Sequence, residues 1–232
     1  MADTLVMIPG LGSDGAVWRR TVAALNGEVH CLMGDTLNDD TLPGMARCIL
    51  DQAPQRFALA GVSMGGMVAL ELMRIAPERI TQLALVDTTA RRDTLTQKAV
   101  RHVTNLVVGR SFNFRRLAER SLGSLVHPSA PQDVRAELTE MSARVGARIY
   151  VRQNRAVAAR PDLRAVLRGL TAPTAVIVGR EDGMTPVKLS QEIHRLTPGS
   201  TLHVIPDCGH LPPIEAPEVL ADVLRSLLSR AA

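Results

Sequence analysis

Hydrophobic and polar positions along the chain follow two alternating rhythms, which break off near residue 90 and resume near residue 171. Short apolar runs cover Thr4–Ile8, Glu28–Met33, Arg56–Ala60 and Ile80–Val86. Near-continuous apolar runs of this length predict strands buried on both faces of a parallel sheet. Between them, apolar residues recur three and four apart over about Ala16–Leu25, Leu42–Ala53 and Gly66–Arg74, which predicts helices. Pro54 and Pro77 end the second and third of these, and Asn26-Gly27 marks a turn. After residue 90 no strand pattern returns until residue 171. Helical spacing instead covers Leu95–Val108, Phe112–Ser121, Pro131–Ala158 and Pro161–Leu170. The alternation then resumes with a strand at Thr174–Val178, a helix at Pro186–Leu196, a strand at Leu202–Ile205 and a helix at Pro217–Arg230. The pattern predicts an α/β core from residues 1–89 and 171–232, with helices on both faces of a mostly parallel sheet. An all-helical insertion over 90–170 interrupts it.

The chemistry concentrates at strand ends. The run Arg56–Ala60 leads into Gly61-Val62-Ser63-Met64-Gly65, and a helix follows at once. Strand, Gly-x-Ser-x-Gly turn and helix are the context of a nucleophile elbow. The turn is too sharp for side chains at its flanks, which accounts for Gly61 and Gly65. Ser63 then stands at the tip, with the N-terminus of a helix beside it. Strand 174–178 runs out into Glu181 and Asp182, and strand 202–205 into Asp207 and His210. In a parallel sheet these ends share one edge, where ligands bind. A serine hydroxyl needs a base to take its proton, and the base needs an acceptor to fix its tautomer. Ser63, His210 and Asp182 supply the three types. Glu181 and Asp87, which follows strand 80–86, compete with Asp182 for the acid.

These segments together resemble the α/β-hydrolase superfamily, and most closely its small capped esterase-type members. The resemblance covers nearly the whole chain outside 90–170, and the order Ser, Asp, His is that family's order. It implies an α/β-hydrolase fold that begins at the family's third strand, with a sheet of about six strands and a helical cap over the active site. It also implies an oxyanion hole built from the N–H groups of Met64 and Leu11. The loop carrying Leu11 is Pro9-Gly10-Leu11, where the family usually has His-Gly-x. The expected activity is that of a carboxylesterase working through an acyl-enzyme, with Trp18 as a candidate pocket residue.

Other readings compete. A thioesterase, a lyase or a ligand receptor would use the same fold. Gly10-Leu11-Gly12-Ser13-Asp14-Gly15 is literally G-x-G-x-x-G, with Asp35 ending the next strand, as in dinucleotide-binding oxidoreductases. Against that, Asp14 would set a carboxylate beside the pyrophosphate. No cluster of Cys, His or carboxylates has metal-ligand spacing, so neither metal nor other cofactor is expected.

Composition adds two constraints. Aromatic residues make up only 2% of the chain, so aliphatic residues and methionine must fill the core. Cys31, Cys48 and Cys208 are odd in number and far apart, which is no disulfide framework. The first residues carry no basic leader or apolar signal segment, and no apolar stretch approaches the ~20 residues of a membrane span. A cytoplasmic enzyme with no membrane partner is expected.

Charge is distributed unevenly. Residues 91–170 hold 16 Lys and Arg against 6 Asp and Glu, a net of +10. The rest of the chain holds 11 against 17, a net of −6. Arg110, Arg115, Arg116 and Arg120, and then Arg144, Arg148, Arg152 and Arg155, recur at roughly helical spacing. A cationic rim would gather anionic substrates, such as half-esters of dicarboxylic acids or acyl groups on a phosphopantetheine carrier. The plainer alternatives are solvated helix faces or a contact between subunits. With no interleaved aromatics to stack bases, nucleic acid is not an expected partner.

Overall fold

The computed structural model describes residues 4–230. Six strands form one parallel sheet: β1 (Thr4–Ile8), β2 (His30–Met33), β3 (Phe57–Val62), β4 (Ile80–Val86), β5 (Thr174–Gly179) and β6 (Thr201–Ile205). Their order across the sheet is β2-β1-β3-β4-β5-β6. The chain therefore steps outward from β1 to β2, then crosses back over β1 to β3 and continues the other way. The C-terminal ends of β1 and β3 flank this reversal, the crevice where open α/β sheets bind ligands.

Side chains alternate between two cores because successive strand residues point to opposite faces. Leu5, Met7, Ala58, Ala60, Ala84 and Val86 face one cluster, completed by Leu220 and Leu224 of α10 (Pro217–Leu228). Val6, Ile8, Leu59, Leu83 and Leu85 face the other. It is completed by α2 (Leu42–Gln52), by α3 (Met64–Ile75) and by Ile193 of α8 (Val187–Leu196). Every residue of β3, β4 and β5 is buried, as their unbroken apolar pattern requires. The helix expected over 16–25 is a 3₁₀ turn, Gly15–Trp18, running into α1 (Arg19–Ala24).

Among the described residues, 90–170 contain no strand. Their helices are α4 (Leu95–Gly109), α5 (Phe114–Leu122), α6 (Gln132–Ala159) and α7 (Arg164–Arg168). The long helix read over 131–158 is broken: Gly146 has φ 77° and ψ 164°, a conformation that glycine alone adopts cheaply. The stretch read as a helix over 161–170 shortens to α7, whose start is set by the Asp162 side chain accepting from Arg164 N. The two ends of the insertion are stitched together, because Leu163 N donates to Ala90 O at 2.7 Å and Arg160 Nε to Arg91 O at 2.8 Å. A short helix that the pattern did not announce, α9 (Pro212–Glu215), follows β6. Among the described residues no helix is long and apolar enough to cross a membrane.

Candidate active site

Ser63 caps α3 with φ 56° and ψ −118°, a strained conformation for a non-glycine residue. The surroundings hold it there. Ser63 N donates to Val86 O at 2.9 Å, while Gly66 N and the Thr88 hydroxyl donate to Ser63 O at 3.0 and 2.7 Å. A Cβ on Gly65 would lie 2.2 Å from Ile8 O, so only glycine lets the elbow abut the end of β1. That contact brings the loop of Leu11 to the serine: a Cβ on Gly10 would be 3.3 Å from Ser63 Cβ. Met64 is the first residue of α3, and its side chain is buried in the second core.

Asp182 and His210 arrive from β5 and β6. His210 Nε2 lies 2.9 Å from Ser63 Oγ, and its Nδ1 lies 2.8 Å from Asp182 Oδ2. Both side chains are buried. Asp182 also accepts from Met184 N at 2.7 Å, Thr185 N at 3.0 Å and the Thr185 hydroxyl at 2.6 Å. Burial alone would raise the Asp182 carboxyl. The hydrogen bond and charge of His210 outweigh it and, with Asp87 and Thr185, hold that carboxyl below the usual carboxylate range.

The rival acids have other places. Glu181 turns away and accepts from Cys208 N at 3.0 Å, joining the Asp182 loop to the His210 loop. Asp87 is completely buried beside Asp182, with Gly179 N donating to its Oδ1 at 3.0 Å. Trp18 is fully buried in the first core and does not join this group of polar residues. The G-x-G-x-x-G stretch opens onto the short 3₁₀ turn rather than an α-helix. Its Asp14 side chain accepts from Ala16 N and pairs with Arg144.

Three supporting residues escaped the sequence reading. Thr185 bridges Asp182 and the His210 loop, its hydroxyl 3.4 Å from His210 Nδ1. Its position three residues after Asp182, as in an Asx turn, is the one signal that could have marked it. Glu215 accepts from Gly209 N, Leu211 N and His127 N, tying both sides of His210 to the insertion. Gln153 of α6 is fully buried, accepts from Gly12 N at 2.9 Å and donates to Thr36 O at 3.1 Å. Neither Glu215 nor Gln153 stands in a motif, so no local signal pointed to them.

A serine, a histidine and a carboxylate in one hydrogen-bonded row, at the reversal of a parallel sheet, define the α/β-hydrolase class. The chain belongs to the alpha/beta hydrolase family, whose model matches residues 5–223. It is 28% identical to the pimeloyl-[acyl-carrier protein] methyl ester esterase of Photobacterium profundum, over 97% of this chain and 94% of that one. With the enzyme of the same name from Aliivibrio salmonicida it shares 30% identity, over 90% of this chain and 85% of the other. A thermophilic esterase from Thermogutta terrifontis superposes with a TM-score of 0.88 at 27% identity, covering 98% of this chain and 90% of that one. The protein is accordingly an ester-cleaving hydrolase of carboxylesterase type.

Proposed function

We propose that Ser63, His210 and Asp182 form a catalytic triad that hydrolyses a carboxylic ester through an acyl-enzyme. The observation that carries this reading is the unbroken contact from Ser63 Oγ through the imidazole to Asp182 Oδ2. Ser63 Oγ attacks the acyl carbonyl as His210 Nε2 takes its proton, and Asp182 stabilises the resulting imidazolium. Leu11 and Met64 N–H groups hold the oxyanion. His210 returns its proton to the leaving alcohol, activates a water, and the acyl-enzyme is hydrolysed. Residues 1–89 and 171–232 form the hydrolase core, 90–170 form the cap that selects the acyl group, and the enzyme works in the cytoplasm.

The substrate we infer is the methyl ester of a dicarboxylic acyl chain linked to an acidic carrier. The names of the two curated relatives support it, as does the cationic insertion. Arg144 lies on the far side of the Gly146 break from Arg148 and pairs with Asp14, while Arg115 pairs with Glu140. Arg110, Arg116, Arg120, Arg148 and Arg155 remain exposed and enter no ion pair among the described residues. Lys98, Arg101, His102 and Arg155 line a groove of about 320 Å³ between α4 and α6. The test is release of methanol from a carrier-linked methyl half-ester, beside p-nitrophenyl esters of graded chain length. Hydrolysis of the carrier-linked ester with the higher kcat/KM is expected. Turnover of p-nitrophenyl esters alone would remove the carrier from the proposal and leave the triad.

A further inference from the structure

Asp87 is the ionisable group nearest the triad that the mechanism above does not use. It follows β4 with φ 41°, held by Asp87 N donating to Ile177 O at 2.9 Å. None of it is exposed. Its Oδ1 accepts one backbone N–H, from Gly179. Its Oδ2 is buried and has no donor. One oxygen of Asp87, one of Asp182 and a nitrogen of His210 all lie within 4.8 Å of one another. The other ionisable groups around Asp87 are Glu215 and the Cys208 thiol. No Lys or Arg pairs with it among the described residues.

Two dehydrated carboxyls whose oxygens lie within 4.8 Å of each other resist ionising together, so one keeps a proton. Their donors decide which. Asp182 receives two N–H groups, a hydroxyl and the histidine, whereas Asp87 receives a single N–H. We propose that Asp87 is a positioning residue: it stays protonated and donates that proton to Asp182, holding the Asp182 carboxylate ionised against His210. The proton supplies what the heavy atoms lack, a donor between two groups that otherwise only accept. Burial first, and then Asp182, push the Asp87 carboxyl well above the usual carboxylate range, while Asp182 is held low. The consequence for catalysis rests on the triad reading, since Asp87 acts on the reaction only through Asp182.

The experiment compares the full-length protein with its Asp87→Asn and Asp87→Ala variants. Asparagine keeps the shape and an N–H donor but never titrates. The first readout is independent of any activity. A carboxyl that is protonated when folded ionises on unfolding, so it costs the native state stability as pH rises above the ordinary carboxylate range. The urea midpoint of Asp87→Asn should therefore gain on the wild type between pH 4 and pH 7. A constant or shrinking difference would overturn the proton on Asp87. The second readout is the pH profile of kcat/KM on a p-nitrophenyl ester. Asp87→Asn should leave its midpoint in place and the rate within a few-fold. Asp87→Ala should lower the rate roughly tenfold or more, the worth of a hydrogen bond to a charged group. Were Asp87 ionised, deleting its charge would lower the midpoint by on the order of one unit in both variants. That shift, or an Asn variant as slow as the Ala variant, overturns the donor role. Should Asp87→Ala not fold, the Asn variant decides by both readouts. Retained hydrolysis by Ser63→Ala would strike the triad reading alone, and the urea series would still judge the proton.

Discussion

Four described non-glycine residues have positive φ: Asn26, Ser63, Asp87 and Asp207. Asn26 lies in a surface turn before a glycine, where asparagine commonly adopts this conformation. Asp207 lies in the exposed turn after β6, where aspartate also tolerates it. Ser63 and Asp87 follow β3 and β4 and both lie close to the His210 ring, so backbone strain collects at the candidate site. Ser63→Ala tests the centre of that site. The change removes one oxygen from a partly exposed side chain, so circular dichroism and melting temperature should stay close to wild type. Ester turnover should fall by several orders of magnitude, on the order of 10⁶ for comparable triad serines. Near-normal turnover by the folded variant would end the assignment of Ser63 as nucleophile. Ser63, Asp182 and His210 were legible in the sequence because each follows an apolar run, and a strand end fixes where a residue emerges. Thr185, Glu215 and the pairing of Asp87 with Asp182 were not. Their significance comes from contacts between loops that only the folded sheet brings together.

At the scale of elements, strand identities followed from unbroken apolar runs, and the six-stranded parallel sheet followed from their alternation with helices. Helix boundaries in the insertion were harder to read. Gly146 sits within an otherwise helical spacing, and a single glycine does not reveal whether it bends a helix or merely weakens it. Equally hidden was the closure of the insertion. Asp93, near its start, meets Arg160, just past α6, at 2.8 Å, with 0% and 3% of their side chains exposed. Arg101 also reaches Asp93, at 2.6 Å. Burial pushes the Arg160 guanidinium down, and Asp93 opposes it. A buried ion pair contributes little net stability relative to an apolar replacement, but deleting one partner strands the other charge. Asp93→Ala should therefore destabilise the fold by about 3–5 kcal/mol in urea unfolding, whereas Asp93→Leu combined with Arg160→Met should recover much of that loss. An Asp93→Ala variant with a wild-type midpoint would show that the insertion does not depend on this clasp.

At the scale of the whole molecule, charge separates with architecture. The insertion holds a net +10 and the remainder a net −6, although the chain as a whole is only +4. A field of this kind acts on arriving ligands rather than on the fold. It predicts a kinetic signature that can be separated from the triad chemistry. Two esters of matched length, one neutral and one bearing a free carboxylate, face the same Ser63 and differ only in charge. Exposed charges steer the anionic ester at low salt, where the Debye length is ~30 Å at 0.01 M, and lose reach when it falls to ~8 Å at 0.15 M. The ratio of kcat/KM for the anionic ester to that for the neutral one should thus fall as salt rises. The change should lie mostly in KM and in capture, since steering acts on the approach of the ester rather than on bond making. Reversing Arg148 and Arg155 to Glu, both exposed on α6 and without an ion partner among the described residues, should flatten the dependence without altering turnover of the neutral ester. An identical salt response of the two esters in the wild type would assign the basic residues to solvation of the helix faces and remove charge from the account of substrate choice.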